Sequence, residues 1–397
     1  MEQESDDEYK AITSVLSSYF NFHNFQSSQL VDPRIKKHEA LSSEDRQILP
    51  WYQQHTQFIQ QCIEINRDFC QTLAEKIGQD WGIEQPPTNW ANASPDQFAQ
   101  TETILLQLMR EWSDQGEKER RTGQDLIIYH LNELFPDKLQ RQYVKVLVPG
   151  CGIGRLVFEL VMKGYWTQGN DVDYHALFAS NFVLNHCQFP HNYSIIPFLA
   201  TSASNSTRRQ NQIRPVTIPD VSPTAEIINA MKNENEKKIR ESTNETPPTE
   251  RIPFDELMSI TAGSFTDLYG SGTNNGNPAS QEIRSQSQGE FDVVVTEFFL
   301  NSVSSNIIDS IRTINNVLKQ GGTWINFGPL SIDERIRSSS DRLDLSRDDL
   351  FELISKLGFG FSTKESGIET TYLEDAKSMN TSIYKCEFWV CTKINNI

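Results

Sequence analysis

The sequence predicts an α/β fold built on a mostly parallel sheet, and three observations lead there. Lys145-Val146-Leu147-Val148-Pro149 and Phe291-Asp292-Val293-Val294-Val295-Thr296 are short, apolar and β-branched, as strands buried on both faces are. Segments with helical spacing of apolar residues follow such runs. Glycines stand where one kind of segment gives way to the other. Strand alternating with helix implies parallel pairing through crossover helices.

Taken in order, the first third reads as helix. Phe58, Ile59, Cys62, Ile65, Phe69, Leu73 and Ile77 recur at three-and-four spacing, and further helices are expected over 101–112 and 124–134, the last stopping before Pro136. No strand-like alternation precedes residue 143. This divides the chain into an N-terminal helical region, 1–140, and a main domain, 141–397. In the main domain strands are expected at 145–149, 167–171, 291–296, 323–327 and 386–392. Helices are expected at 154–163, 173–187, 307–318 and 348–357, with Gly164 and Gly321-Gly322 as stops. Two polar stretches, 224–249 and 270–289, hold few large apolar groups and are expected to be flexible insertions. No internal repeat is visible.

The bulk numbers narrow the function. The chain has 397 residues and a formal net charge of −17, so phosphate backbones are repelled and nucleic acid is a poor partner. The six cysteines form no C-x-x-C pair and no metal-type cluster with histidine, so no metal is expected. The acidic N-terminus lacks the features of a secretory leader, and no apolar run reaches membrane-spanning length. The expectation is a soluble intracellular protein without nucleic-acid or membrane partners.

The chemistry concentrates on Val148-Pro149-Gly150-Cys151-Gly152-Ile153-Gly154, which follows one expected strand and opens a helix. Glycines there permit torsions closed to other residues and let a ligand approach the main chain. Asp171 stands twenty-one residues after Gly150, at the end of the next strand, where a carboxylate can accept from both hydroxyls of an adenosine ribose. Dinucleotide enzymes use G-x-G-x-x-G because a pyrophosphate sits on the helix N-terminus. Here the spacing is G-x-G-x-G, and Arg155 holds the place of the third phosphate-binding glycine. S-adenosylmethionine has no phosphate, so the spacing favours a methyltransferase over a dinucleotide oxidoreductase. A tight strand-to-helix turn without any ligand is the alternative.

Beyond the turn, Leu147 to Leu156, Gly164-Tyr165, Gln168-Gly169-Asn170-Asp171 and Leu177 to Asn185 resemble the carnosine N-methyltransferase family. So do Arg214-Pro215-Val216, Pro219-Asp220-Val221, Thr261 to Phe265 and Trp324 to Leu330, together with Ile48-Leu49-Pro50 and Arg110-Glu111-Trp112-Ser113 before Gly116. The resemblance covers residue 40 to the end. It implies a Rossmann-like class I methyltransferase sheet and methyl transfer from S-adenosylmethionine to an imidazole nitrogen of carnosine, giving anserine. It also implies dimers in cytosol and nucleus.

Residue by residue, the resemblance assigns Gln107 and Arg110 to the cofactor; their spacing of three puts both on one helix face, and an arginine fork suits the cofactor carboxylate. Gly150, Gly152, Gly154 and Asp171 fall at the glycine and ribose positions, where the family carries glutamate for Asp171. Ser264 and Phe265 fall at the adenine, and Glu297 precedes the family's Phe-Phe pair. On the acceptor side the sequence departs. Asn301 stands where the family has an aspartate, with Ser302 as the rival alignment, and Asp333 stands where the family has a histidine. Tyr372 and Tyr384 remain from its tyrosines. The expected catalytic set is Asn301, Asp333 and Tyr384, with Tyr372 added for acceptor binding. A methyltransferase for another histidine-containing peptide or protein, and a catalytically silent interaction protein, are the alternatives.

Overall fold

The computed structural model describes residues 2–201, 203–241, 252–271, 278–303, 306–331 and 343–395. Among them are nine strands. These are β1 (Lys145–Pro149), β2 (Trp166–Asp171), β3 (Tyr193–Ile195), β4 (Val216–Ile218), β5 (Met258–Ala262), β6 (Phe291–Glu297), β7 (Leu318–Gly328), β8 (Phe359–Thr370) and β9 (Tyr384–Lys393). Packing divides the chain into two compact units. One holds Met1–Glu117, Tyr174–Ala225 and Tyr372–Ser382; the other holds Lys118–Asp173, Glu226–Thr371 and Ile383–Ile397.

The first unit is built on the helices Glu2–Phe20, Pro50–Asp80, Pro95–Trp112 and Tyr174–His186. Ser94 starts the third with a capping box: its hydroxyl accepts from the Gln97 N–H while the Gln97 side chain accepts from the Ser94 N–H. Ile59, Ile63, Leu73 and Ile77 form the buried stripe of Pro50–Asp80. Asn66, in the same helix, is buried because its amide serves both backbone groups of Ile196, at 2.8 and 3.1 Å. β3 and β4 form a short antiparallel ladder in this unit.

The second unit carries a seven-stranded sheet in the order β5-β2-β1-β6-β7-β9-β8. β1 pairs in parallel with β2 and β6, β2 with β5, and β6 with β7; β9 runs antiparallel between β7 and β8. The chain moves outward from β1 to β2 and β5, then returns to β6 on the other side of β1. In open α/β sheets ligands bind at such a reversal, beyond the carboxyl ends of the two flanking strands, which here are β1 and β6. Side chains alternate across the sheet: Val146, Val148, Val293, Val295 and Ile325 fill one face, Leu147, Val294 and Trp324 the other. Each such burial stabilises by about 1.5–3 kcal/mol, more than an exposed pair such as Lys356–Glu352, worth about 0–1 kcal/mol.

The structure corrects the sequence reading in three places. The expected boundary at 140 does not follow the packing. Ile127 and Leu131 of the helix Glu117–Leu134 are buried in the same cluster as β1, β6 and β7, so this helix packs with the sheet from Lys118 onward. The two stretches expected to be flexible contain the helices Pro223–Glu241 and Pro278–Ser287. Each opens on a proline, which suits a helix's first turn, and Ser222 caps the former by accepting from the Ala225 N–H. The parts at 242–249 and 272–277 lie outside the described residues. Finally, β3, β4, β5 and β8 were not expected. β8 is a polar edge strand, and edge strands lack the apolar run that marks a central one.

Candidate active site

The glycine turn closes β1 as expected. Gly150, Gly152 and Gly154 have φ of 65°, 56° and 81°, and Gly154 is the N-cap of the helix Arg155–Met162. Gly150 is also fixed from outside: a Cβ there would lie 2.6 Å from the Phe299 ring. Arg155 pairs with Glu159 of its own helix at 2.9 Å.

Asp171 ends β2 beside this turn. Its Oδ2 accepts the Gly152 N–H at 2.9 Å, and its Oδ1 accepts those of Val172 and Asp173 at 2.8 and 3.0 Å. An ionised carboxylate offers about four acceptor sites, so among the described residues one site on Oδ2 is left for a ligand hydroxyl. Burial pushes the carboxyl up to about 6, against the bonds from Asp173, Gly152 and Val172. Asn170 sets the neighbouring loop: its amide donates to the Thr261 and Gly263 carbonyls at 3.1 and 2.9 Å, while the Gly263 N–H reaches the Asp171 carbonyl at 2.8 Å. Ser264 and Phe265 follow at once, Ser264 as N-cap residue of Phe265–Tyr269. Phe265 lies edge-on to Phe299, centroids 5.6 Å apart.

The end of β6 supplies the opposite wall. Glu297 accepts from the Gln124 amide at 3.3 Å. Phe298 holds φ at 50°, uncommon for an aromatic residue, and its N–H is fixed by the Phe327 carbonyl at 2.8 Å. Its ring lies edge-on to Tyr384, centroids 6.3 Å apart. Beyond the pair, the Asn301 Oδ1 is buried and accepts no hydrogen bond among the described residues. Ser302 differs: it is exposed, and its hydroxyl donates to the Phe299 carbonyl at 2.9 Å. An acceptor is therefore held ready at Asn301, not at Ser302.

Gln107, Arg110 and Tyr372 lie in the first unit. Gln107 and Arg110 share the helix Pro95–Trp112, and the Gln107 Oε1 is buried and accepts no hydrogen bond among the described residues. The Arg110 guanidinium lies 4.9 Å over the Tyr372 ring and 3.9 Å from the Glu111 carboxylate. Asp333 lies outside the described residues.

Comparison with known proteins decides the family. A sequence model described as carnosine N-methyltransferase matches residues 87–395. A carnosine N-methyltransferase of Schizosaccharomyces pombe is 30% identical over 97% of this chain and 96% of its own. One of Mus musculus is 29% identical over 94% and 84%, and one of Dictyostelium discoideum 29% over 96% and 76%. The chain belongs to the carnosine N-methyltransferase family. Its sheet is accordingly the Rossmann-like class I methyltransferase sheet that the family resemblance implies, on the mostly parallel α/β framework that the alternating elements predict.

Within this family chain, the second unit brings together Gly150, Gly152, Gly154, Asp171, Ser264 and Phe265 around the ends of β1, β2 and β5. It sets Glu297, Asn301 and Tyr384 around the ends of β6 and β9. Three features escaped the sequence reading: the Phe299 ring against Gly150, the Gln124–Glu297 bond, and the stacking of Arg110 on Tyr372. Each joins residues far apart in the chain, and only the Phe298-Phe299 pair left a visible mark. Among the described residues no group of side chains is arranged to hold a metal, and no helix is long and apolar enough to cross a membrane.

Proposed function

We propose that this chain is an S-adenosylmethionine-dependent N-methyltransferase that methylates an imidazole nitrogen of carnosine to give anserine. The observation that carries this reading is the buried Asn301 Oδ1, which accepts no hydrogen bond among the described residues, just beyond the Phe298-Phe299 pair in a member of the carnosine N-methyltransferase family. It is an acceptor in want of a donor, and the N–H of a neutral imidazole is one. The open acceptor site on Asp171 and the left-handed glycine turn fit the cofactor's ribose and its close approach to the main chain.

S-adenosylmethionine supplies a methyl group on a sulfonium, ready for direct displacement. Gln107 and Arg110 hold its amino-acid end, Gly150, Gly152 and Gly154 bring it against the main chain, and Asp171 accepts from the ribose. Ser264 and Phe265 flank the adenine, and Glu297 lies on the cofactor side. Asn301 accepts the N–H of the far imidazole nitrogen and so selects the tautomer whose other nitrogen has a free lone pair. An amide oxygen is a poor proton acceptor, so its contribution is orientation, and Asp333 takes the proton once the ring is charged. Tyr372 and Tyr384 hold the dipeptide by ring and hydroxyl.

Calorimetric titration tests the donor side: adenosylhomocysteine binds and NAD does not, and the reverse would overturn the assignment. Asp171→Ala abolishes adenosylhomocysteine binding, whereas Asp333→Ala spares it and lowers turnover; equal loss of binding in both would show the acceptor side misplaced. We further propose a homodimer in cytosol and nucleus. Light scattering after size exclusion giving one chain's mass would contradict the dimer, and fractionation finding the chain only in other compartments would contradict the location.

A further inference from the structure

The segment between β8 and β9, Tyr372–Ser382, packs as part of the helical unit. It begins with a bend that its residues do not favour: Leu373 has φ of 56°, a left-handed conformation that costs a branched side chain. Such a bend persists only where its surroundings over-determine it. Two clamps do so. On one side Tyr372 lies under the Arg110 guanidinium. On the other, the Asp375 Oδ1 accepts from Arg214 Nη2 at 2.5 Å and from the Lys377 N–H at 2.8 Å.

Arg214 is itself held firmly. Its Nη1 donates to the Asn211 carbonyl at 2.7 Å and its guanidinium lies 3.5 Å over the Phe198 ring. Arg214 and Asp375 are largely buried, at 18% and 10% side-chain exposure, so their charges depend on one another. Downstream, the Met379 N–H donates to the Asn205 carbonyl at 2.7 Å, and Ser378 bridges Ser206.

We propose that Arg214 and Asp375 are positioning residues: their ion pair locks the Leu373 bend and so holds Tyr372 against Arg110. This rests on the reading that Tyr372 contacts the acceptor and Arg110 the donor carboxylate. The pair then sets the spacing of an acceptor contact and a donor contact without touching either ligand. Neither half suffices alone. Without Asp375 the bend relaxes, and without the fork of Arg214 the buried carboxylate loses its partner.

The test uses the full chain with Asp375→Asn and the milder Arg214→Lys, which keeps the charge but not the fork. Three quantities are measured: KM for carnosine, affinity for adenosylhomocysteine, and amide exchange over 372–382. In Asp375→Asn exchange there quickens and KM rises about tenfold, the worth of one weakened acceptor contact, while adenosylhomocysteine affinity changes less than about threefold; Arg214→Lys falls between. On a Tyr372→Ala background Asp375→Asn adds little, because the two act as one unit. Unchanged exchange, an additive double variant, or a rise in KM accompanied by a matching loss of cofactor affinity and a lowered melting temperature would each overturn the proposal. Wild-type chain that binds adenosylhomocysteine but leaves carnosine unmethylated would instead sink the functional reading, and exchange over 372–382 still decides whether the ion pair locks the bend.

Discussion

Asp171 ties its own backbone with three N–H bonds and keeps one acceptor site for a ligand. A glutamate at this place reaches further; the shorter aspartate instead becomes part of the turn it serves. The pH dependence follows from burial, which raises the carboxyl from 3.8 to about 6. For folding alone, this group favours the native state most below 3.8, and that contribution is lost as pH rises through about 6. Ligand binding runs the other way, since a ribose hydroxyl donates to the ionised form. Affinity for adenosylhomocysteine therefore weakens as pH falls from 7 through about 6, with net proton release on binding near the midpoint; a flat affinity between pH 5 and 7.5 would contradict this. Asn301 gives a second prediction. Asn301→Ala lowers kcat/KM for the imidazole acceptor about tenfold, the worth of one hydrogen bond, Asn301→Asp retains activity, and Ser302→Ala has little effect. A loss confined to Ser302→Ala would reverse the alignment.

The helix Glu117–Leu134 shows how an element is placed by one close approach. A Cβ at Gly123 would lie 2.5 Å from the Phe327 ring, so glycine lets the helix seat directly on β7. Gly123→Ala gains about 1 kcal/mol of helix propensity but overpacks the seat at about 1–3 kcal/mol. Chemical denaturation should show a net loss, and a more stable variant would mean the helix is free to shift. Element scale is also where legibility in the sequence varied most. β1 and β6 were visible because central strands carry continuous apolar runs, and the glycine turn with Asp171 was visible because its spacing is local. β8 was hidden by its polar edge composition. The helices Pro223–Glu241 and Pro278–Ser287 were hidden by polar composition, although each begins with a proline in the favoured first turn. The stacking of Arg110 on Tyr372 joins residues more than two hundred and fifty positions apart, and no local pattern announces it.

Across the whole molecule, the strand order returns through the sheet centre and so places loop after loop at the carboxyl ends of β1, β2, β5 and β6. Side chains there come from segments that local spacing could not relate, so Ser264, Phe265 and Asn301 were proposed from the family resemblance and not from composition. If one site serves the donor, ligand binding is linked to folding. Adenosylhomocysteine at a hundred times its dissociation constant stabilises the chain by about 2.7 kcal/mol, visible as a raised melting temperature that Asp171→Ala abolishes. An equal rise in both forms would place binding elsewhere. The central claim is methyl transfer to a carnosine imidazole. It is tested most directly by incubating the purified chain with methyl-labelled S-adenosylmethionine and carnosine, beside free histidine and a cell extract, and following the label. Labelled anserine is expected, with no label on free histidine; label passing to a protein or another peptide in the extract, with carnosine untouched, would contradict methyl transfer to carnosine.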